Sequence, residues 1–96
     1  MRRIYLVAYD IADDKRLRRV FKKMNGFGEH LQYSVFQCEL SEKERIEMIA
    51  ALNPLIDHRE DQVLIFTLGP ANGYNADATV ALGRPYVFIE RHAIVV

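Results

Sequence analysis

A second cysteine is missing. Cys38 stands alone in 96 residues, so the chain cannot close a disulfide on itself, and a reducing cytoplasm is the expected compartment. Long apolar runs are missing too, and none approaches the roughly 20 residues that span a bilayer. The run IYLVAY is cut by Asp10 where a signal peptide would need small residues, so the N-terminus reads as mature sequence. No internal repeat, low-complexity stretch or linker divides the chain, and residues 1–96 read as one domain. No Gly-rich phosphate loop, nucleophile elbow or zinc motif occurs. His30, His58 and His92 lack the spacing of metal ligands and read as non-catalytic. Together these absences remove disulfide scaffolds, membrane spans, zinc sites and P-loop nucleotide chemistry.

Net charge is absent as well, but only in total. Residues 1–28 carry eight basic residues against three acids, a net +5, and the rest of the chain balances them. One end can therefore attract an anion although the whole is neutral. A chain this short buries only about two-thirds of the surface it exposes when unfolded, so a second copy is a natural source of further core.

What is present is strongly patterned. Residues 3–9 predict a strand buried on both faces, ending at Asp10. DDKRLRRVFKKMNGFG predicts a helix, with Asp13 or Asp14 at its start, Lys22 and Lys23 near its end and Gly26 and Gly28 as a stop. Leu17, Val20, Phe21 and Met24 form its buried stripe. Lys15, Arg16, Arg18, Arg19, Lys22 and Lys23 form the opposite, basic face. In HLQYSVFQCEL the alternation changes parity near residues 34–36, which predicts two short strands or one sharply kinked strand. Ser41 with Glu44 three residues on is a capping box opening a second helix, whose apolar face carries Met48, Ile49, Leu52, Leu55 and Ile56. QVLIFTL predicts another fully apolar strand. Residues 69–73 predict a loop, ATVAL a short strand, residues 83–85 a turn, and the apolar tail more strand.

The order β-α-β-β-α-β predicts a ferredoxin-like α+β sandwich with an extra C-terminal strand. An apolar tail at 93–96 invites pairing with another chain. A homodimer is expected, with residues 84–96 packing across it.

Two segments carry a resemblance over nearly the whole chain: YLVAYDIADDKRLRRV, where a strand ending in Tyr-Asp runs into a basic helix, and HLQYSVFQCELS before the second helix. Together they resemble the CRISPR-associated Cas-two (Cas2) family. The resemblance implies a ferredoxin-like homodimer that works with the Cas-one (Cas1) integrase in acquiring CRISPR spacers. It also implies either a magnesium-dependent endonuclease on RNA or double-stranded DNA, or a non-catalytic structural adaptor. A virulence-associated D-type toxin ribonuclease is a third reading of the same fold.

By position, Asp10 matches the family's catalytic, metal-binding aspartate. Mg²⁺, or Mn²⁺ in its place, usually keeps several waters and needs one or two carboxylates. The two-fold axis of a dimer would supply the second Asp10. The alternative is that Asp10 merely caps a helix or turn. Arg16, Arg18 and Arg19 could hold phosphates by forked hydrogen bonds, or form an ordinary solvated face. Tyr9 and Phe36 could stack on bases or define a cleft beside the acid, and otherwise belong to the core. Ser34 could meet a phosphate oxygen or simply make the turn. Cys38 reads as buried and inert.

Overall fold

β1 (Arg3–Asp10) is the central strand, and the rest of the molecule is built around it. The computed structural model describes residues 1–86. β1 leads to α1 (Asp14–Met24), then to the hairpin of β2 (Glu29–Gln32) and β3 (Val35–Leu40). α2 (Glu42–Leu52) and a short 3₁₀ turn (Asn53–Leu55) return the chain to β4 (Gln62–Pro70). A second 3₁₀ turn follows at Ala76–Ala78. The four strands make one sheet in the order β2-β3-β1-β4, and every neighbouring pair is antiparallel. This is the ferredoxin-like arrangement expected from the element order.

Local chemistry sets the boundaries. Asp13 is the N-cap of α1, and its carboxylate accepts from the Arg16 backbone N–H. That hydrogen bond holds the Asp13 carboxyl below its ordinary pKa. The Ser41–Glu44 capping box is closed in both directions, at 3.1 and 2.8 Å. The parity change at Ser34 is a hairpin turn between β2 and β3, with a bulge in their register after His30. Gly28 is required by crowding rather than by its backbone angle. A Cβ there would sit 2.5 Å from both the Cys38 sulfur and the Gln37 carbonyl oxygen.

Strand alternation divides the sheet into two unlike faces. Tyr5, Val7 and Tyr9 of β1 and Phe36, Cys38 and Leu40 of β3 point toward the helices. They form the core with Val20 and Met24 of α1 and Met48 and Leu52 of α2. Among the described residues, no helix lies on the opposite face. β4 therefore corrects the expectation of a strand buried on both sides. Val63 and Ile65 pack on the core, whereas Leu64, Phe66 and Leu68 remain 44%, 46% and 47% exposed. Phe21 departs from the buried stripe in the same way, at 37% exposed.

Two further expectations change. β4 runs through Gly69 to Pro70, where the Ala71 N–H donates to the Arg2 carbonyl, so the loop begins later than the glycine suggests. ATVAL is not a strand: Ala78 closes a 3₁₀ turn, and Val80 and Leu82 lie exposed without ladder partners among the described residues. The segment expected to pack across a dimer, 84–96, lies mostly outside the described residues.

Candidate nucleic-acid interface and metal site

β1 carries two of the expected site residues side by side, and the period of a strand sends them to opposite faces. Tyr9 pairs with Val63 and points into the helix-covered core. Asp10 pairs with Gln62 at the strand's end, is exposed, and shares the uncovered face with Leu6 and Ala8. The expectation of one cleft holding Tyr9, Ser34, Phe36 and the acid is thereby corrected. Phe36 is fully buried, so no base can stack on it directly. Its ring instead supports the rings of Tyr9, Phe21 and His30, with centroids 6.2, 5.6 and 5.0 Å away.

The cleft itself lies between α1 and the β2–β3 turn. It encloses about 420 Å³ and is walled by Tyr9, Leu17, Arg18, Phe21, Tyr33 and Ser34. The Ser34 carbonyl accepts from the Tyr9 backbone N–H at 3.0 Å. His30 Nε2–H donates to the Tyr33 carbonyl at 2.9 Å, which fixes the turn from the other side.

Asp10 is not a cap. That task belongs to Asp13, and the Asp10 carboxylate makes no hydrogen bond or ion pair among the described residues. Nor does one chain offer a complete cage, because no three His, Cys, Asp or Glu side chains cluster among the described residues. A single accessible carboxylate still fits a hard cation that keeps most of its waters.

The basic face of α1 is less uniform than its sequence. Arg18 and Arg19 are exposed, as are Lys15, Lys22 and Lys23. Arg16 is committed elsewhere. Its Nε donates to Asp61 Oδ2 at 2.9 Å, and Nη2 reaches Asp61 Oδ1 at 3.3 Å and Glu60 Oε1 at 3.2 Å. It therefore fastens α1 to the entrance of β4, and Arg18 and Arg19 remain the exposed arginines of that face.

Asp61 is a residue the sequence did not single out. Its carboxylate is completely enclosed. Besides Arg16, it accepts from the backbone N–H of Ala12 at 2.8 Å and of Asp57 at 2.7 Å. It thus clamps the loop that leaves Asp10, the start of α1 and the turn before β4 in one place. These hydrogen bonds, that of Arg16 foremost, hold the Asp61 carboxyl far below the usual carboxylate range, and the same contact raises the Arg16 guanidinium.

The linkage follows from the direction of the shift. A carboxyl depressed in the folded state stabilises fully above its unfolded pKa of about 3.9, and that stability is lost as pH falls below it. Arg16 titrates above any working pH, so only the acid limb is measurable. Asp61→Asn should lower the melting temperature at pH 7 by roughly ten degrees. The gap between variant and wild type should narrow as pH falls below about 4. Thermal melts from pH 7 to pH 2 measure it, and a gap independent of pH would show that the charge of Asp61 is not what matters.

Residues 1–73 match the family model described as CRISPR associated protein Cas2. The chain belongs to the Cas2 family. Over 92 residues it is 48% identical to a protein named CRISPR-associated endoribonuclease Cas2 1 from Rhodospirillum rubrum, covering 96% of this chain and 89% of that one. Over 96 residues it is 45% identical to the CRISPR-associated endoribonuclease Cas2 of Geobacter sulfurreducens, with both chains covered completely. Its fold superposes on the crystal structure of Streptococcus pyogenes Cas2 with a TM-score of 0.72 and 29% identity, covering 83% of this chain and 99% of the other. Cas2 membership decides against the virulence-associated D-type toxin reading. Among the described residues, no helix of this family member is long and apolar enough to cross a membrane.

Proposed function

We propose that the protein is a homodimeric, Mg²⁺-dependent endoribonuclease of the CRISPR adaptation machinery, working in the cytoplasm beside the Cas1 integrase. The observation that carries this reading is the placement of Asp10. An exposed carboxylate, partnerless among the described residues, stands at the end of an apolar sheet face that no helix of those residues covers. Closing that face against a second copy would bring two Asp10 side chains to one two-fold axis. The names of the relatives from Rhodospirillum rubrum and Geobacter sulfurreducens support RNA as substrate.

In this reading the Asp10 carboxylates of the two protomers would hold the cation. Mg²⁺, with Mn²⁺ as a substitute, would supply a more acidic bound water and a polarised phosphoryl oxygen. The chain's own residues do the rest. Arg18 and Arg19 hold the phosphate backbone, and the Asp61 clamp fixes the loop that follows Asp10. A second reading, a Cas1 adaptor that cuts nothing, is favoured by the lack of a third acid or histidine near Asp10 among the described residues.

The two readings separate in one assay. Purified protein is offered single-stranded RNA and double-stranded DNA, with Mg²⁺ and with EDTA. RNA cleavage in Mg²⁺ that stops in EDTA is the expected result. Binding without cleavage in either Mg²⁺ or Mn²⁺ would leave the adaptor reading standing alone.

A further inference from the structure

We propose that the cleft between α1 and the β2–β3 turn seats one unstacked nucleobase of a single-stranded RNA. The inference rests on the nucleic-acid reading above and specifies a subsite on the helix-covered side of the sheet, away from Asp10.

Three observations point to that occupant. The first is the wall. Tyr9, Phe21 and Tyr33 offer aromatic surface and Leu17 adds aliphatic surface around a space of about 420 Å³. A flat apolar face flanked by rings suits a base, because every base has a π-face. The second is the rim. Arg18 lines the cleft and stands on the same helix surface as Lys15 and Lys22, three residues before it and four after. A strand whose base enters the cleft would lay its phosphates along that row. The third is the Tyr9 hydroxyl. Tyr9 is 6% exposed, and its hydroxyl is buried with no hydrogen-bond partner among the described residues. Buried polar groups are nearly always paired, so an orphan in the wall of a cleft is an unmet demand for a ligand atom. A base edge carries both donors and acceptors and can meet it. The hydroxyl is sealed from water, so the base must turn a wall side chain to reach it. Tyr33, 83% exposed, is the wall ring least held by packing.

A duplex cannot fill the cleft, because its bases are stacked and paired. The seat therefore favours single strands, whose unstacked bases can be splayed out onto aromatic side chains.

The test is direct binding in EDTA, so that cleavage plays no part. A single-stranded RNA oligonucleotide carrying 2-aminopurine reports insertion by its fluorescence, and an RNA duplex of the same sequence serves as the control. Tyr33→Ala removes an exposed ring and should leave the fold intact. It should weaken single-strand binding by about five- to a hundredfold, the range for loss of one base–aromatic stack, and leave the duplex within twofold. Tyr9→Phe should move two readouts in opposite directions. The melting temperature should hold or rise, because an unpaired buried hydroxyl is removed, while single-strand affinity falls several-fold. A purely structural Tyr9 would not lose affinity. If both variants bind the single strand within twofold of wild type, the cleft is no base seat. If Arg18→Ala with Arg19→Ala weakens binding in that case, the nucleic-acid reading survives alone. Wild type that binds no RNA at low salt overturns both.

Discussion

Asp10→Asn should reduce Mg²⁺-dependent RNA cleavage by roughly a hundredfold or more, a larger loss than replacing a residue that only supports a metal ligand causes, while leaving the metal-free melting temperature essentially unchanged. The two halves of that result have separate causes. Asparagine keeps the size of the side chain but is a neutral, weaker ligand for a hard cation. Stability is spared because Asp10 makes no hydrogen bond or ion pair among the described residues, while the cap is Asp13 and the clamp is Asp61. In a dimer without metal, two facing carboxylates repel, so the variant should be slightly the more stable there. Adding Mg²⁺ should raise the melting temperature of wild type by mass action and leave the variant unmoved. Duplex and single-strand binding should survive, since the proposed phosphate contacts are those of Arg18 and Arg19. Melts with and without Mg²⁺, run beside a cleavage assay, give both readouts. A variant that melts markedly lower would make Asp10 a structural residue, and a variant that still cuts would remove it from the chemistry.

Asp10 itself was legible because an acid ending an apolar strand contradicts the pattern around it. Much of the fold was legible for the same kind of reason. The capping box, an aspartate at the start of α1, the parity change at Ser34 and, Phe21 apart, the period of α1 are local, and local rules read them. The opposite faces of Tyr9 and Asp10 were also within reach, since consecutive strand residues must diverge. Other features were not local. Arg16, Arg18 and Arg19 are chemically alike in sequence, and only the return of the chain 45 residues later places Asp61 against one of them. Asp61 sits in a polar turn, DHRED, with no motif to distinguish it. An apolar strand such as QVLIFTL does not say which of its faces is met by a helix and which stays exposed in the single chain.

That uncovered face predicts the second large effect. Phe66→Lys should convert the proposed dimer to a monomer at micromolar concentration, and RNA cleavage should fall with it although Asp10 is untouched. Phe66 pairs with Leu6, Leu64 pairs with Ala8, and Leu68 extends the row, so the apolar surface is continuous across β1 and β4. Contiguous exposed apolar patches on small proteins mark interaction sites, and this one adjoins Asp10, the acid proposed to meet its counterpart in a second copy. A lysine at its centre would place two ammonium groups in a shared dry interface, one from each protomer. Desolvating them without partners costs several kcal/mol per ion in general, enough to raise a dissociation constant by more than about a hundredfold. The fold of each protomer should persist, because Phe66 is on the face opposite the core cluster. Light scattering on wild type and variant, with circular dichroism to confirm the fold, measures the first part. A cleavage assay at equal protomer concentration measures the second. A Phe66→Lys protein that stays dimeric would move the interface off this face, and a folded monomer that cuts as fast as wild type would show that one Asp10 suffices.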